Sequence, residues 1–477
     1  MDLEAGSISA SGTAGSANSH LSAWDGPNDP KNPRNWKPRV KLWHIILASL
    51  FALYSSLATV MYAPAAGELA EQFGITNSTV ETFTISIYIL GYVIGPVILS
   101  PLSELYGRLI IYRLCSVIYI AFTIGCALST TTAMFLVFRL ICGCAASAPL
   151  VIIGGTIADL YVPSERGAAV ALSCISPLFG PALGPVIGGF VSRGLGWRWT
   201  FWIILIFAGI VTLATFLTMK ETFEPVILKH KTTTALRKTY ADNLPDIRST
   251  PAQLLGNTMI RPFKIFMLSP VVLTLSLYTS FIYGLNYVLF TTFANVFKGT
   301  YHFSVELSGL SYLGLGMGML ASSLFCMFIS DKLLKTSTAE REGCPEQRLI
   351  PMIWFNLALP VGFFWYGWSA SQGTHWIVPM LGTVLIGIGS MMILIPSLSY
   401  VVDAFDTEAA ASAVAVLAVS RSLFGAFLPL AGPALYQKLG LGWGNSLLGF
   451  IALAFSPTPY LLHRYGQTLR TKFPVAL

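Results

Sequence analysis

Twelve long apolar segments leave this chain few ways to fold. They run at residues 41–64, 82–103, 112–129, 133–160, 168–191 and 198–218, then at 269–297, 305–330, 349–371, 375–402, 409–433 and 442–463. A helix needs about 20 apolar residues to cross roughly 30 Å of hydrocarbon, so each is long enough to span a bilayer. The chain is 54% hydrophobic and 11% charged, whereas soluble domains carry roughly 25% charged residues to solvate their surface. The expectation is an all-α membrane protein of twelve transmembrane helices, six on each side of a polar stretch at 219–268.

The polar remainder orients these spans. Of the 29 Lys and Arg residues, only Arg193, Arg198, Lys298 and Lys438 fall on one side, and Arg139 and Arg421 lie within spans. All the others gather before span one, in the loops after spans two, four and eight, in the 219–268 stretch and in the C-terminal tail. The positive-inside rule then makes both termini cytoplasmic. The expected organisation is a disordered cytoplasmic tail at 1–40, a six-helix bundle at 41–218, a cytoplasmic linker at 219–268, a second bundle at 269–463 and a cytoplasmic tail at 464–477. The first residues lack the basic start and apolar core of a cleavable signal, which leaves targeting to span one. The net charge of +7 is spread over separate loops rather than gathered with aromatics on one patch, so no nucleic-acid partner is expected. Seven cysteines, at 115, 126, 142, 144, 174, 326 and 344, have no metal or redox spacing. No Gly-Lys dipeptide occurs, so there is no phosphate-cradling loop for ATP. No cofactor or metal is expected, and lipid is the surrounding partner.

Two six-span halves form a layout that builds a carrier around a central site. An internal echo agrees with duplication: Gly91 precedes Glu104 by thirteen residues, as Gly318 precedes Asp331. At the end of span two, Gly91 and Gly95 form a smooth stripe, and Gly107 begins a turn that sets Glu104 near Arg108 and Arg113. That loop reads either as a conformational switch, with a charge pair made in one state and broken in another, or as an ordinary tight turn. Span five carries Gly180, Gly184 and Gly188 on one face, with Pro181, Pro185 and Gly189 beside them, a kinked groove suited to close packing and to movement.

An arginine in hydrocarbon is costly unless it meets a partner or a wet cavity, which marks Arg139 and, more weakly, Arg421 as functional candidates. Arg139 lies near enough to the outer end of span four to snorkel part of the way, so a structural role is the alternative. Span seven carries Tyr283, Asn286, Tyr287 and Phe290 on one helical face, which suits either a bulky, partly polar solute or plain packing. Tyr54, Tyr88 and Tyr92 are further aromatic candidates in spans one and two. Asn77-Ser78-Thr79 is a glycosylation sequon on the predicted outer side.

At these residues the sequence resembles the major facilitator superfamily, and within it the fungal drug:proton antiporter branch with twelve spans. The similarity runs from Pro27 nearly to the end. It is carried by Glu104-Leu-Tyr-Gly107-Arg108 between spans two and three, by Arg139, by the Gly180-Pro181 to Gly188-Gly189 run and by Asn28-Asp-Pro-Lys-Asn-Pro-Arg-Asn-Trp36. The resemblance implies proton-coupled export of drugs, toxins or secondary metabolites by alternating access, acting as a monomer in the cell membrane, with the vacuolar membrane as the alternative. The chain departs from that pattern in having no acidic residue mid-membrane, so proton transfer is expected through Arg139 with a span-end carboxylate, from among Glu81 and Glu306 at the outer ends of spans two and eight and Asp159 at the inner end of span four. The runner-up is an importer or facilitator of a nutrient. A receptor would show seven spans and an enzyme a clustered set of His, Asp or Cys, and His44, His302 and His375 stand apart.

Overall fold

The computed structural model describes Trp24, residues 29–162, Glu165 and residues 167–231, 264–337, 345–405 and 407–473. Most of the 1–40 tail and the 219–268 linker therefore lie outside the described residues. Among the described residues there is helix and no strand. Span one is Pro38–Val60, two Ser78–Tyr106, three Arg108–Leu128 and four Thr132–Ala146 followed by Ala148–Leu160. Span five is Gly167–Leu195, six Arg198–Thr218, seven Pro270–Tyr301 and eight Val305–Leu310 followed by Tyr312–Ser337. Span nine is Ile350–Phe355 with Ala358–Ser371, and ten is Ile377–Ala404. Span eleven begins as Thr407–Phe427 and ends at Gly440, whose φ of 70° breaks an otherwise continuous helix and starts span twelve. The chain reverses there because a left-handed residue cannot extend a right-handed helix.

Residues 464–472, expected as a tail, continue as a helix, Thr458–Lys472, that docks on the second half. Its Arg470 donates to Glu346 Oε1 at 2.5 Å and to the Ala404 carbonyl at 3.1 Å.

Each half buries its own apolar core, one drawn from residues 47–219 and the other from 265–462 with Val60 and Ile89 of the first half added at the seam. The outward stripe stays apolar for lipid: Ile206, Ile210, Leu213 and Leu217 of span six, one turn apart, are all more than half exposed. Within each half the pairing repeats. Span one lies along five, two along four, and three along four and six; span seven lies along eleven, eight along ten, and nine along ten and twelve. The Gly91 and Gly318 echo marks the same contact in both halves. A Cβ on Gly91 would overlap the backbone of Gly143 and Cys144, and one on Gly318 would overlap the carbonyl of Val384. Close backbone approach through glycine is how helices associate where lipid removes the hydrophobic drive. Between halves, span five meets span eight and span two meets span eleven, the contacts expected when one bundle repeats the other about an axis through the seam.

Candidate functional site: the seam and its three charge sites

Arg139 is 1% exposed, two turns into span four. Its guanidinium donates to the carbonyls of Ala58 at 2.9 Å and Thr59 at 3.3 Å. These two residues lie in the last turn of span one, where carbonyls have no helical partner and the helix dipole is negative, so a helix end supplies what a carboxylate would otherwise supply. The rings of Tyr88, Tyr62 and Phe201 stand 4.7, 4.9 and 5.7 Å from the guanidinium carbon. A cavity of about 10 Å³, bounded by Tyr88, Tyr119, Thr123 and Cys142, opens beside it. Among the described residues no carboxylate pairs with Arg139. Asp159, expected as its coupling partner, lies twenty residues on, about 30 Å along span four at 1.5 Å per residue.

Asp159 belongs to a second charge site, at the end of the bundle where the chain termini lie. Arg108 Nε stands 3.6 Å from Asp159 Oδ2, and its Nη1 donates to Ser103 Oγ at 2.6 Å. The two carboxylate oxygens of Glu221 each accept a backbone N–H at 3.0 Å, from Arg108 and Leu109, and so cap span three. Gly107 is required twice: its φ is 96°, and a Cβ there would overlap Glu221 Oε2. Arg113 donates to the Phe216 carbonyl at 3.0 Å. Glu104, expected near Arg108 and Arg113, is exposed and makes no ion pair among the described residues. Arg108 finds Asp159 instead because span four descends beside this turn. Sequence reasoning missed Glu221; the signal available was an acidic residue directly after the last apolar turn of span six, next to Lys220.

Span five sits between the halves. A Cβ on Gly180 would overlap Ser56, and one on Gly188 would overlap the carbonyl of Met61, while Gly184 faces the Leu57 carbonyl. That face belongs to span one. The other side meets span eight: Gly189 faces the Val305 carbonyl, and Gly309 approaches the carbonyl of Pro185 so closely that a Cβ would overlap it. Pro181 is half-buried beside Ala182, against which Gly316 of span eight packs.

At the end away from the termini, polar contacts cross the seam. Arg193 pairs with Glu306 at 2.5 Å, and Lys298 Nζ donates to the Pro64 carbonyl at 2.7 Å. Glu81 of span two neighbours Asn295 and Lys298 of span seven. At the termini end the ion pairs stay within one half: Arg108 with Asp159, Arg348 with Asp403 at 2.7 Å, and Arg470 with Glu346 at 2.5 Å. The seam is thus latched at one end by charge that crosses it and, among the described residues, is not so latched at the other.

At mid-depth the aromatic candidates divide. Tyr88 and Tyr92 are 5.6 Å apart and Tyr283 and Tyr287 5.0 Å apart. Tyr92 and Tyr287 neighbour each other and Tyr283 across the seam. Arg421 lies over the Tyr283 ring at 5.5 Å. Asn286 turns away: it is buried in the second half and its Oδ1 accepts from Ser390 Oγ at 3.0 Å. Phe290 stacks on Tyr312, and Tyr54 packs against Phe51 and Tyr119 inside the first half. Asn77 caps span two, its Oδ1 accepting from the Thr79 N–H at 2.9 Å, and is exposed.

A duplicated twelve-span bundle with a polar seam, latched at one end, defines a membrane carrier. The profile of the Major Facilitator Superfamily matches residues 48–429, and the chain belongs to that family of transporters. It is 57% identical over 457 residues to the MFS transporter prlG of Fungal sp. (strain NRRL 50135), covering 95% of this chain and 96% of that one. It is 48% identical to the trichosetin biosynthesis cluster MFS transporter of Gibberella fujikuroi, covering 96% and 90%. Its fold is similar to that of the xylose transporter XylE from E. coli in a partially occluded inward open conformation, with a TM-score of 0.67 at 16% identity over 90% of this chain and 98% of that one.

Proposed function

We propose that this transporter exports small hydrophobic or amphipathic organic molecules, secondary metabolites above all, by proton antiport and alternating access. The observation that carries the reading is span five: Gly180, Gly184 and Gly188 fix it on span one of its own half, while at its contact with span eight Gly189, Gly309 and Gly316 leave little side chain in the surface along which the halves rock. A relative named for a biosynthetic cluster supports a self-made metabolite as cargo.

With both termini cytoplasmic, the latched end faces outward and the structure is inward-facing, ready to load from the cytoplasm. Residues 1–40 and 219–268 are then cytoplasmic, the carrier works as a monomer in the plasma membrane, and Asn77 presents its side chain outside. A gel-mobility shift removed by glycosidase and absent in Asn77→Gln is the expected result for Asn77; an unshifted wild-type band contradicts it.

Glu306 is nearly buried while Arg193 is mostly exposed, so the latch is a modest one. Glu306→Gln is expected to raise labelling of a Ser308→Cys probe by a membrane-impermeant thiol reagent a few-fold, in a background without native cysteines. Unchanged labelling would show that the pair does not hold the outer end shut.

The export reading is tested in a sensitive host lacking its own pumps. Expression is expected to raise resistance to members of a toxin and metabolite panel, and a protonophore to remove it. Higher sensitivity, or uptake of labelled sugars or vitamins, points to an importer and overturns the reading.

A further inference from the structure

Resting on the reading of this chain as an exporter, we infer that its cargo is an amphipathic organic anion held at the seam, with the acid group against Arg421 and the apolar body against Tyr92, Tyr283 and Tyr287. The argument begins with depth. Arg421 is fourteen residues from the start of span eleven, about 21 Å of helix, and therefore near the middle of the membrane. Too deep to snorkel to either headgroup layer, a guanidinium there needs a counter-charge or acceptors.

The two intramembrane arginines differ in what they have. Arg139 is held by two end-of-helix carbonyls and three rings. Arg421 is only half-buried and, among the described residues, meets one ring, that of Tyr283; no carbonyl, hydroxyl or carboxylate accepts from it. Among the described residues no carboxylate of the spans stands near it: Glu81 and Glu306 are at the latched end, and Asp159, Glu104 and Asp403 at the other. The neighbouring span-eleven hydroxyls of Ser420 and Ser422 donate to the carbonyls of Val416 and Ala418 in their own helix, and neither accepts from Arg421.

The field at mid-seam is therefore positive. Tyr92 of the first half lies under the influence of both Arg421 and Arg139. A cationic cargo would meet like charge in a low-dielectric site, and a neutral one would leave Arg421 unpaired. An anion removes the cost: the guanidinium fork matches a carboxylate in two parallel hydrogen bonds, and the tyrosine faces take a flat or polycyclic body. Gly425, one turn further along span eleven, lets the Tyr283 ring lie against that helix with Ile89 of the first half beside it, because a Cβ there would press on the ring.

The test uses the full chain in nanodiscs and two matched sets of probes: 1-naphthylacetate, its methyl ester and naphthylmethyl-trimethylammonium, and the same three on phenanthrene. Calorimetry is expected to show each acid binding on the order of tenfold tighter than its ester or its cation. Arg421→Ala should erase that preference while leaving ester affinity within about twofold, which also reports an intact fold, and Arg421→Lys should keep part of it. Acids that bind no better than esters and cations, or an Arg421→Ala variant that loses all three alike, overturn the inference. The same probes in inside-out vesicles separate the two readings. Preferred accumulation of ester or cation overturns the anion assignment and leaves export standing, whereas preferred binding of the acid without accumulation of any probe keeps the assignment and removes export.

Discussion

Arg139→Ala is expected to lower gradient-driven efflux about a hundredfold or more in reconstituted vesicles, while the protein still inserts and elutes as a single species. The substitution leaves the carbonyls of Ala58 and Thr59 without their donor and removes the cation from three rings. A buried carbonyl left without its donor costs about 1–3 kcal/mol, so two of them, borne by the outward-going step rather than by folding, amount to about 2–6 kcal/mol, which at about 1.4 kcal/mol per tenfold covers a hundredfold loss. Arg139→Lys separates charge from geometry. A lysine keeps the cation but loses the fork that spans two adjacent carbonyls, so efflux on the order of tenfold below wild type is expected. Undiminished efflux by the alanine variant would make Arg139 a packing residue and nothing more.

Gly188→Leu is expected to abolish folded protein in the membrane, read as loss of the monodisperse peak in size-exclusion chromatography. A Cβ at Gly188 would already overlap the carbonyl of Met61, and backbone cannot turn aside as a side chain can, so spans one and five would have to separate along the line where Gly180 and Gly184 also touch. Overpacking of this kind costs at least about 1–3 kcal/mol where a core can adjust, and more where two backbones meet. Gly194→Leu, six residues on in the same helix, meets nothing within 4 Å and should fold as wild type. Normal folding of Gly188→Leu would mean that the two spans are not in contact there.

How much of this was legible in the sequence follows from what each residue needs. Apolar length is a local property, so the span count and the repeat about residues 219–268 could be read directly. Span five could also be read, because glycines at a spacing of four mark one face whatever that face touches. Side-chain partners could not. Glu104 stands four residues from Arg108, yet Arg108 takes Asp159, fifty-one residues away in the chain and 3.6 Å away in space, and its amide is capped by Glu221. Helical spacing placed Asn286 on one face with Tyr283 and Tyr287, but a face about 100° wide is shared between two neighbours, and Ser390 of span ten claims the amide. Tyr54 was equally ambiguous, since a tyrosine near mid-span packs inward as well as toward a seam. The carbonyls that hold Arg139 were beyond any side-chain pattern, because they are backbone groups exposed by the end of span one.

The measurement that bears most directly on the central claim is accumulation of a fluorescent amphipathic probe in inside-out vesicles with an imposed pH gradient, lumen acid. Probe is expected to concentrate in the lumen only in vesicles that carry the protein, to stop when a protonophore collapses the gradient, and to be lost in Arg139→Ala. Accumulation that ignores the gradient, or net movement of probe out of the lumen, would contradict proton-coupled export by this chain.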